Sequence, residues 1–219
     1  MAIDKITTPA VTDDSVTLAK MAPGTDGNII SYDASGNPVA VATGSAGQVL
    51  TSAGAGAPPT FAAAPGITMA DQWRQLGGSV SAGDTFITSN WERTDTDSYG
   101  TIGSAMSESS GVFTFPATGI YYLQFFFQGK NTSGSVSRYT DGFIDVTTNN
   151  SSYNLAASGF ASSAGNLRDF NCTATFILDV TNTSNVKIKT AFQVEHTCSM
   201  YGSTDSTSTN LTVIRLGDT

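Results

Sequence analysis

The chain has 219 residues, of which 13% are charged, with 10 Lys and Arg against 18 Asp and Glu and a formal net charge of −8. This length allows one sizeable domain with an extended segment rather than two domains of an enzyme, and the few scattered basic residues disfavour nucleic acid as a partner. The longest apolar run, residues 120–127, is interrupted by Gln124 and is far shorter than the ~20 residues of a membrane-spanning helix, so we expect no membrane insertion.

Residues 1–23 carry the signal of a short helix. Asp13 and Asp14 precede a stretch with apolar periodicity, and Lys20 stands near its end, just before Pro23. Two helical turns are marginal in isolation, so we expect this segment to be ordered only against a partner, and we interpret it as an anchor. The apolar residues that would make this contact are Ile3, Ile6, Val16, Leu18 and Met21. The first ten residues lack the apolar core of a signal peptide, so we expect assembly in a cytoplasm.

Residues 24–61 contain an ungapped repeat with a period of 20 residues. GTDGNIISYDASGNPVAV lies over GSAGQVLTSAGAGAPPTF, and each copy predicts a short strand, a Gly/Pro turn and a second short strand. One copy offers too little apolar area to offset ~1–2 kcal/mol per residue of backbone ordering. We therefore expect neighbouring chains to bury Ile29, Ile30, Val49 and Leu50 in a multi-chain shaft over residues 24–66. The alternative is a flexible linker, which the low-complexity composition also fits.

Residues 67–219 change to strands separated by Ser, Thr, Asn and Gly turns, which predicts a β-sandwich. Over residues 170–180 the even positions are apolar or small and the odd positions are mostly polar, so one face is predicted to be core. The same alternation continues over residues 186–194, and we predict a hairpin that turns at residues 182–185.

The strand predicted within residues 119–128 is apolar on both faces. One face carries four large apolar residues, while Ile120, Tyr122 and Phe126 lie on the other among two glutamines. Because a sandwich has only two layers, we expect this second face to meet another subunit.

Residues 111–128, GVFTFPATGIYYLQFFFQ, resemble the signature Gly-x-Phe-x-x-Pro-x-x-Gly-x-Tyr-x-Phe of the C1q/tumour-necrosis-factor-like jelly roll. The residues that match are Gly111, Phe113, Pro116, Gly119 and Tyr121, with Leu123 where the family often has an aromatic residue. The resemblance covers residues 73–217 and implies a tight homotrimer with an apolar core along its threefold axis, to which Ile120, Tyr122 and Phe126 would belong. It also implies a role in recognition rather than catalysis.

The N-terminal part, with GNIISYDASGNPVAV and GQVLTSAGAGAPPTF, is similar to segments of phage tail and head fibre proteins. Together the resemblances imply an all-β fold, a C1q/TNF-like jelly-roll β-sandwich preceded by an extended fibre segment with a short N-terminal helix. We expect an anchor at residues 1–23, a shaft at 24–66 and a knob at 67–219, in a homotrimeric fibre or spike of a bacteriophage virion assembled in the host cytoplasm. The N-terminus would bind other virion proteins, on the head or the tail. The knob would bind a host-surface glycan or protein.

Two other functions remain open: a cellular C1q-like binding module, secreted or at the surface, and a small glycan-cleaving tailspike. The single histidine, His196, cannot be placed in a Ser/His/Asp triad, and paired carboxylates such as Asp141 and Asp145 are common in solvated turns. We expect no enzyme activity and no cofactor. Asp95 and Asp97 form an Asp-x-Asp pattern, which is a weak indication of calcium.

The only two cysteines, Cys172 and Cys198, point to the same predicted inward face. They lack the spacing of a zinc site, and we interpret them as buried thiols rather than a disulfide.

Loop lengths indicate where the knob would bind. In a jelly roll alternate loops emerge at opposite ends, so the short turns at residues 116–118, 149–152 and 182–184 predict one end. The long loops at 95–110, 131–138, 158–168 and 197–209 are predicted at the other end. These loops carry Tyr and Arg among small polar residues, a mixture typical of antibody paratopes, although they could also be solvated loops without a ligand. The candidate receptor-binding residues are Tyr99, Arg138, Tyr139, Arg168, Tyr201 and Asp205.

Overall fold

The computed structural model describes residues 24–64, 66–165 and 167–219, and the predicted anchor at residues 1–23 lies outside the described residues. The described residues form strands, and no helix among them is long and apolar enough to cross a membrane. The chain divides into two units between residues 65 and 66. The first unit holds β1 (Ile29–Tyr32), β2 (Pro38–Val41), β3 (Gln48–Thr51) and β4 (Thr60–Ala63). The second unit holds β5 (Met69–Gln75), β6 (Gly78–Val80), β7 (Gly83–Phe86), β8 (Trp91–Arg93), β9 (Ser107–Ser109), β10 (Val112–Thr114), β11 (Gly119–Asn131), β12 (Thr140–Thr147), β13 (Asn154–Gly159), β14 (Asp169–Val180), β15 (Lys187–Val194), β16 (Cys198–Met200) and β17 (Asn210–Gly217).

Each copy of the repeat forms one two-stranded antiparallel hairpin, β1 with β2 and β3 with β4. The two hairpins differ in register by one residue. Ile30 faces Ala40, whereas Leu50, the equivalent of Ile30, faces Phe61, one residue further along than the repeat implies. Pairing in the second hairpin begins after Pro59, which has no N–H to donate to a strand partner. The 20-residue repeat in the sequence therefore does not give the two hairpins the same strand register.

The apolar residues of the repeat are exposed in the single chain. Ile29, Ile30, Val49 and Leu50 keep between 37% and 59% of their surface accessible. An isolated two-stranded hairpin has no second layer to cover its side chains and is marginal in water. Burial of these four residues by neighbouring chains, and with it the shaft, stays a prediction.

The second unit is a sandwich of two antiparallel sheets. Sheet I has the strand order β14–β11–β17–β5–β8, and β16 with β6 extends it beside the end of β11. Sheet II has the order β13–β12–β15–β10–β9, and β7 pairs with the other half of β15. This all-β arrangement confirms the predicted jelly-roll β-sandwich.

The core lies between the two sheets and is rich in aromatic residues. Along β11, Tyr121, Leu123, Phe125 and Phe127 are completely buried, as the predicted alternation requires. The rings of Phe127 and Phe192 stack across the sandwich with centroids 5.8 Å apart, which joins sheet I to sheet II. Burial of large apolar side chains of this kind supplies most of the driving force for folding.

Two glycines of the jelly-roll motif are required by close backbone contacts. Gly111 has φ +78°, and a Cβ there would collide with the carbonyl oxygen of Ile87. Gly119 has φ +143°, and a Cβ there would collide with the carbonyl oxygen of Gly217. Only glycine adopts these conformations without strain in so little space. The two motif glycines therefore lie just before β10 and at the start of β11, where the backbone passes close to the backbone of another segment.

The predicted hairpin between residues 170–180 and 186–194 is wrong. β14 pairs with β11 in sheet I, whereas β15 pairs with β12, β10 and β7 in sheet II. The turn is present, since the side chain of Asn182 accepts the N–H of Ser184 at 2.8 Å, but it carries the chain from one sheet to the other. Alternation shows which side chains face the core, and two strands on opposite sides of that core show the same alternation.

Candidate functional site

The outer face of sheet I, directed away from the core, carries a continuous apolar row. Ile102, Ala70, Ile214, Tyr122 and Ile177 lie side by side, each in register with the next. Ile177 is 61% exposed and Ile102 is 47% exposed, while Tyr122 and Ile214 are half-buried. Single exposed aliphatic residues are common, but a row that crosses the whole sheet indicates a contact surface.

The rows on either side of this apolar row differ in character. The next row across the sheet is polar, and in it the side-chain amide of Gln72 donates to the hydroxyl of Thr212 at 2.9 Å. Beyond it lies Phe126, half-buried, and towards the opposite end of the sheet lie Ile120 and Leu216. The predicted interface residues of β11 thus share one outer face, and their role as a trimer interface stays a prediction.

The other members of this face were not predicted from the sequence. Ile177 and Ile214 lie on strands whose outward positions are otherwise mostly polar, so neither strand by itself predicts an apolar outer face. Ile102 lies in a loop, and a single bridge to Ala70 brings it into the row. Only the strand order assembles these residues into one surface.

Asp95 and Asp97, the weak calcium candidates, are not arranged as a metal site. Arg74, completely buried, places its guanidinium 2.6 Å from a carboxylate oxygen of Asp95 and 3.0 Å from one of Glu92. Within residues 24–64, 66–165 and 167–219 no group of three or more His, Cys, Asp or Glu could hold a metal ion. A guanidinium competes with any other cation for the same carboxylate, so the ion pair with Arg74 accounts for Asp95.

Tyr99 has a structural position at the edge of β5, and its role in receptor binding stays a prediction. Its hydroxyl donates to the carboxylate of Asp71 at 2.9 Å and accepts the N–H of Gln72 at 2.6 Å, in the middle of β5. Burial, and next the hydrogen bond to Asp71, raise the pKa of Tyr99 to about 12. After β8 the chain runs along the edge of β5, and there Tyr99 lines a cavity with Asp205 of the loop at residues 197–209.

The carboxylate of Asp71 is the common acceptor of the hydrogen bonds along this edge of β5. Its buried carboxylate accepts hydrogen bonds from the indole of Trp73 at 3.1 Å and the backbone of Met106 at 2.9 Å, besides the ion pair with Arg93 at 3.2 Å. A buried charge is tolerated only when it is paired and hydrogen-bonded, and Asp71 meets both conditions. The network holds residues 94–106 against sheet I.

The other three long loops lie together at one end of the sandwich, and we call them the tip loops (residues 131–138, 158–168 and 197–209). Two of them run antiparallel and are joined by backbone hydrogen bonds. The joined pairs are Asn131 with Arg168, Ser137 with Ser163, and Thr140 with Ala161. The third is tied to the first, since Thr132 donates to the carbonyl of Thr197. The tip loops are therefore a connected surface.

The remaining receptor candidates lie on or beside the tip loops. Arg138 forms an exposed ion pair in which its Nε is 2.7 Å from Glu195, and this guanidinium lowers the pKa of Glu195. The hydroxyl of Tyr201 donates to Asp169 at 2.5 Å. Tyr139 follows Arg138, Arg168 is exposed, and the carbonyl of Asp205 accepts the hydroxyl of Thr96 at 3.4 Å. Their role in binding stays a prediction.

Three large apolar side chains add to this surface and were not predicted. They are Val136, Phe160 and Leu167, which all lie in the tip loops and are each more than half exposed. Leu167 also has φ +57°, an uncommon conformation for a bulky residue. Exposed apolar residues next to Tyr and Arg are typical of binding surfaces.

Both cysteines are free and buried, as the sequence predicted. Burial raises the pKa of each thiol to about 12. The thiolate, which is the nucleophile and metal ligand, is therefore disfavoured at both positions.

No protein-family model and no curated protein sequence matches the chain. Among solved structures, Eiger TNF from S. frugiperda is similar with a TM-score of 0.53 and 12% identity, covering 70% of this chain and 96% of that chain. Murine APRIL has a TM-score of 0.48 and 10% identity, covering 68% of this chain and 98% of its own. The globular domain of zebrafish complement 1qA has a TM-score of 0.43 and 10% identity, covering 69% and 99%. The likeness to Eiger TNF shows the TNF-like jelly-roll fold and, at this identity, the fold alone.

Proposed function

We propose that this chain is the homotrimeric fibre or spike of a bacteriophage virion and displays its jelly-roll knob for attachment to a host surface. The observation that carries the proposal is the apolar row from Ile102 to Ile177 on the outer face of sheet I. A sandwich leaves this face without a covering layer, and burying it against other copies of the chain would remove that apolar surface from water.

A threefold arrangement would bring three copies of the row together around one axis. The apolar row containing Tyr122 would form one layer, and the polar row containing Gln72 and Gln124 would form the next. Polar residues within an otherwise apolar interface specify register between chains, at some cost in stability. The TNF-like fold supports this arrangement because the jelly-roll resemblance implies trimers.

The repeat supports a fibre rather than an isolated module. Its hairpins leave Ile29, Ile30, Val49 and Leu50 exposed in one chain, so three chains that wind together would bury twelve such side chains. Two repeats would make a short shaft. Residues 1–23 would hold other virion proteins, and assembly would take place in the host cytoplasm.

The tip loops would contact the host. They join Tyr201, Arg168 and the exposed Phe160 on a connected surface, which suits a glycan or protein partner through stacking and hydrogen bonds. No catalytic role is proposed, because the jelly-roll resemblance implies recognition.

A cellular C1q-like binding module would have the same knob and the same trimer. The exposed hairpins of the repeat favour the fibre, since a binding module without a shaft would leave their apolar side chains in water. The tailspike alternative predicts that incubation of the full chain with host polysaccharide releases fragments, and absence of fragments would count against it.

The test of the proposal uses particles that carry the full chain. Replacing Tyr201 and Arg168 together by Ala should reduce adsorption to host cells roughly tenfold or more, since truncating an anchor residue typically costs above 1 kcal/mol. Ser184→Ala, a change of an exposed residue in the turn after β14 at the opposite end of the sandwich, is the control and should adsorb normally. Normal adsorption of the double variant, with the trimer intact, would contradict the assignment of the tip loops.

A further inference from the structure

The outer face of sheet II holds a concave pocket that the proposed function does not use. Ala191 lies at its centre on β15, with Phe86 of β7 on one side and Phe143 of β12 on the other, all three in register. A methyl group between two aromatic rings leaves a depression, and the cavity has a volume of about 410 Å³. Four paired strands, β7, β15, β12 and β13, supply its lining, so its shape is fixed by the sheet.

Two carboxylates lie at opposite ends of this pocket. Asp84 is in register with Gln193, one row beyond Phe86, and Asp145 lies in the row on the other side, beside Leu155. Burial and then the negative charge of Asp84 raise the pKa of Asp145, and the positive charge of Lys189 lowers it. Within the described part of the chain, neither belongs to an ion pair.

The nearest basic residue is directed elsewhere. Lys189 is the register partner of Asp145, yet its ammonium lies 4.7 Å from the ring centroid of Phe86 and 4.4 Å from that of Tyr153. Placement between two ring faces is a cation–π arrangement. Lys189 thus contacts the aromatic rings, and both carboxylates of the pocket keep their hydrogen-bonding capacity.

We propose that this pocket binds an alkylammonium group, as in a lysine side chain on the surface of a partner protein. The methyl of Ala191 and the side chains of Phe143 and Leu155 would cover the apolar stem. Asp84 would accept hydrogen bonds from the ammonium, and Asp145 would add negative charge at the other end of the pocket. The charge is complementary, and Leu155, 59% exposed, forms an apolar rim that a stem would cover. A lysine side chain has this combination of apolar stem and cationic end. The inference needs neither the tip loops nor the virion role.

The test uses the full chain and the probe n-butylammonium, with n-butanol as a neutral analogue of the same length. Methyl NMR of Ala191 and Leu155 should show saturable shifts with n-butylammonium and none with n-butanol. Replacing Asp84 and Asp145 together by Asn should weaken binding at least about tenfold, since hydrogen bonds to charged groups are the strong ones. The control, Asp97→Asn with Asp218→Asn, removes two negative charges elsewhere and should bind as the unchanged chain does.

Each contrary result would overturn the proposal. Equal shifts with n-butanol would mean that the pocket is only an apolar depression. Equal weakening by the control variant would mean that the net negative charge of the chain attracts the probe without a site. Saturable shifts with a neutral monosaccharide such as glucose, but not with n-butylammonium, would assign the pocket to a saccharide instead.

Discussion

Ile177→Ala tests whether the outer face of sheet I is buried between chains. The residue is 61% exposed in one chain, and burying a whole Ile side chain contributes ~1.5–3 kcal/mol, so the exposed part would contribute ~1–2 kcal/mol in a trimer. Three copies lose ~3–6 kcal/mol together, which raises the trimer dissociation constant roughly 10²–10⁴-fold. Because Ile177 packs little within its own chain, the free energy of unfolding of the separated chain should change by less than ~0.5 kcal/mol.

Sedimentation equilibrium of the full chain over a dilution series measures this dissociation constant. Leu155→Ala is the matched control, since Leu155 is 59% exposed on the outer face of sheet II, and it should leave the constant unchanged. If Ile177→Ala and the unchanged chain dissociate over the same concentration range, or if Leu155→Ala has the larger effect, the outer face of sheet I is not the interface between chains.

Three further predictions concern the knob itself. Phe125→Ala removes a completely buried ring and should cost ~3–5 kcal/mol in denaturant unfolding; a loss below ~1 kcal/mol would contradict the described core. Asp71→Ala leaves Trp73, Met106 and Arg93 without their acceptor and should cost ~3–5 kcal/mol, seen as a lower Tm, whereas an unchanged Tm would contradict the network. Because the pKa of both thiols is raised to about 12, iodoacetamide at about pH 8 should alkylate neither cysteine until denaturant is added, and rapid alkylation of the native chain would show that they are accessible.

The core of the knob could be predicted from the sequence because side-chain direction alternates with a period of two. Along β11 this period separates buried Phe125 from outward Tyr122 and Phe126 without knowledge of any neighbouring strand. The motif glycines are equally local, since close contact at Gly119 leaves no room for a side chain. These features depend on short stretches of chain.

What could not be predicted depends on strand order. The row from Ile102 to Ile177 joins five segments that are distant in sequence, and the outward positions of β14 are polar apart from Ile177. The hydrogen bonds of Tyr99 could not be predicted either, because they require the segment after β8 to lie along the edge of β5. The pocket over Ala191 likewise requires β7 to pair beside β15.

Electron cryomicroscopy of the full chain would show whether the outer face of sheet I is buried between chains. We expect particles of three 22.7 kDa chains around one axis, with Tyr122 and Ile177 of each chain facing that axis and the hairpins of residues 24–64 wound together. A single chain whose outer face of sheet I is in solvent, or a trimer packed through sheet II, would contradict this expectation.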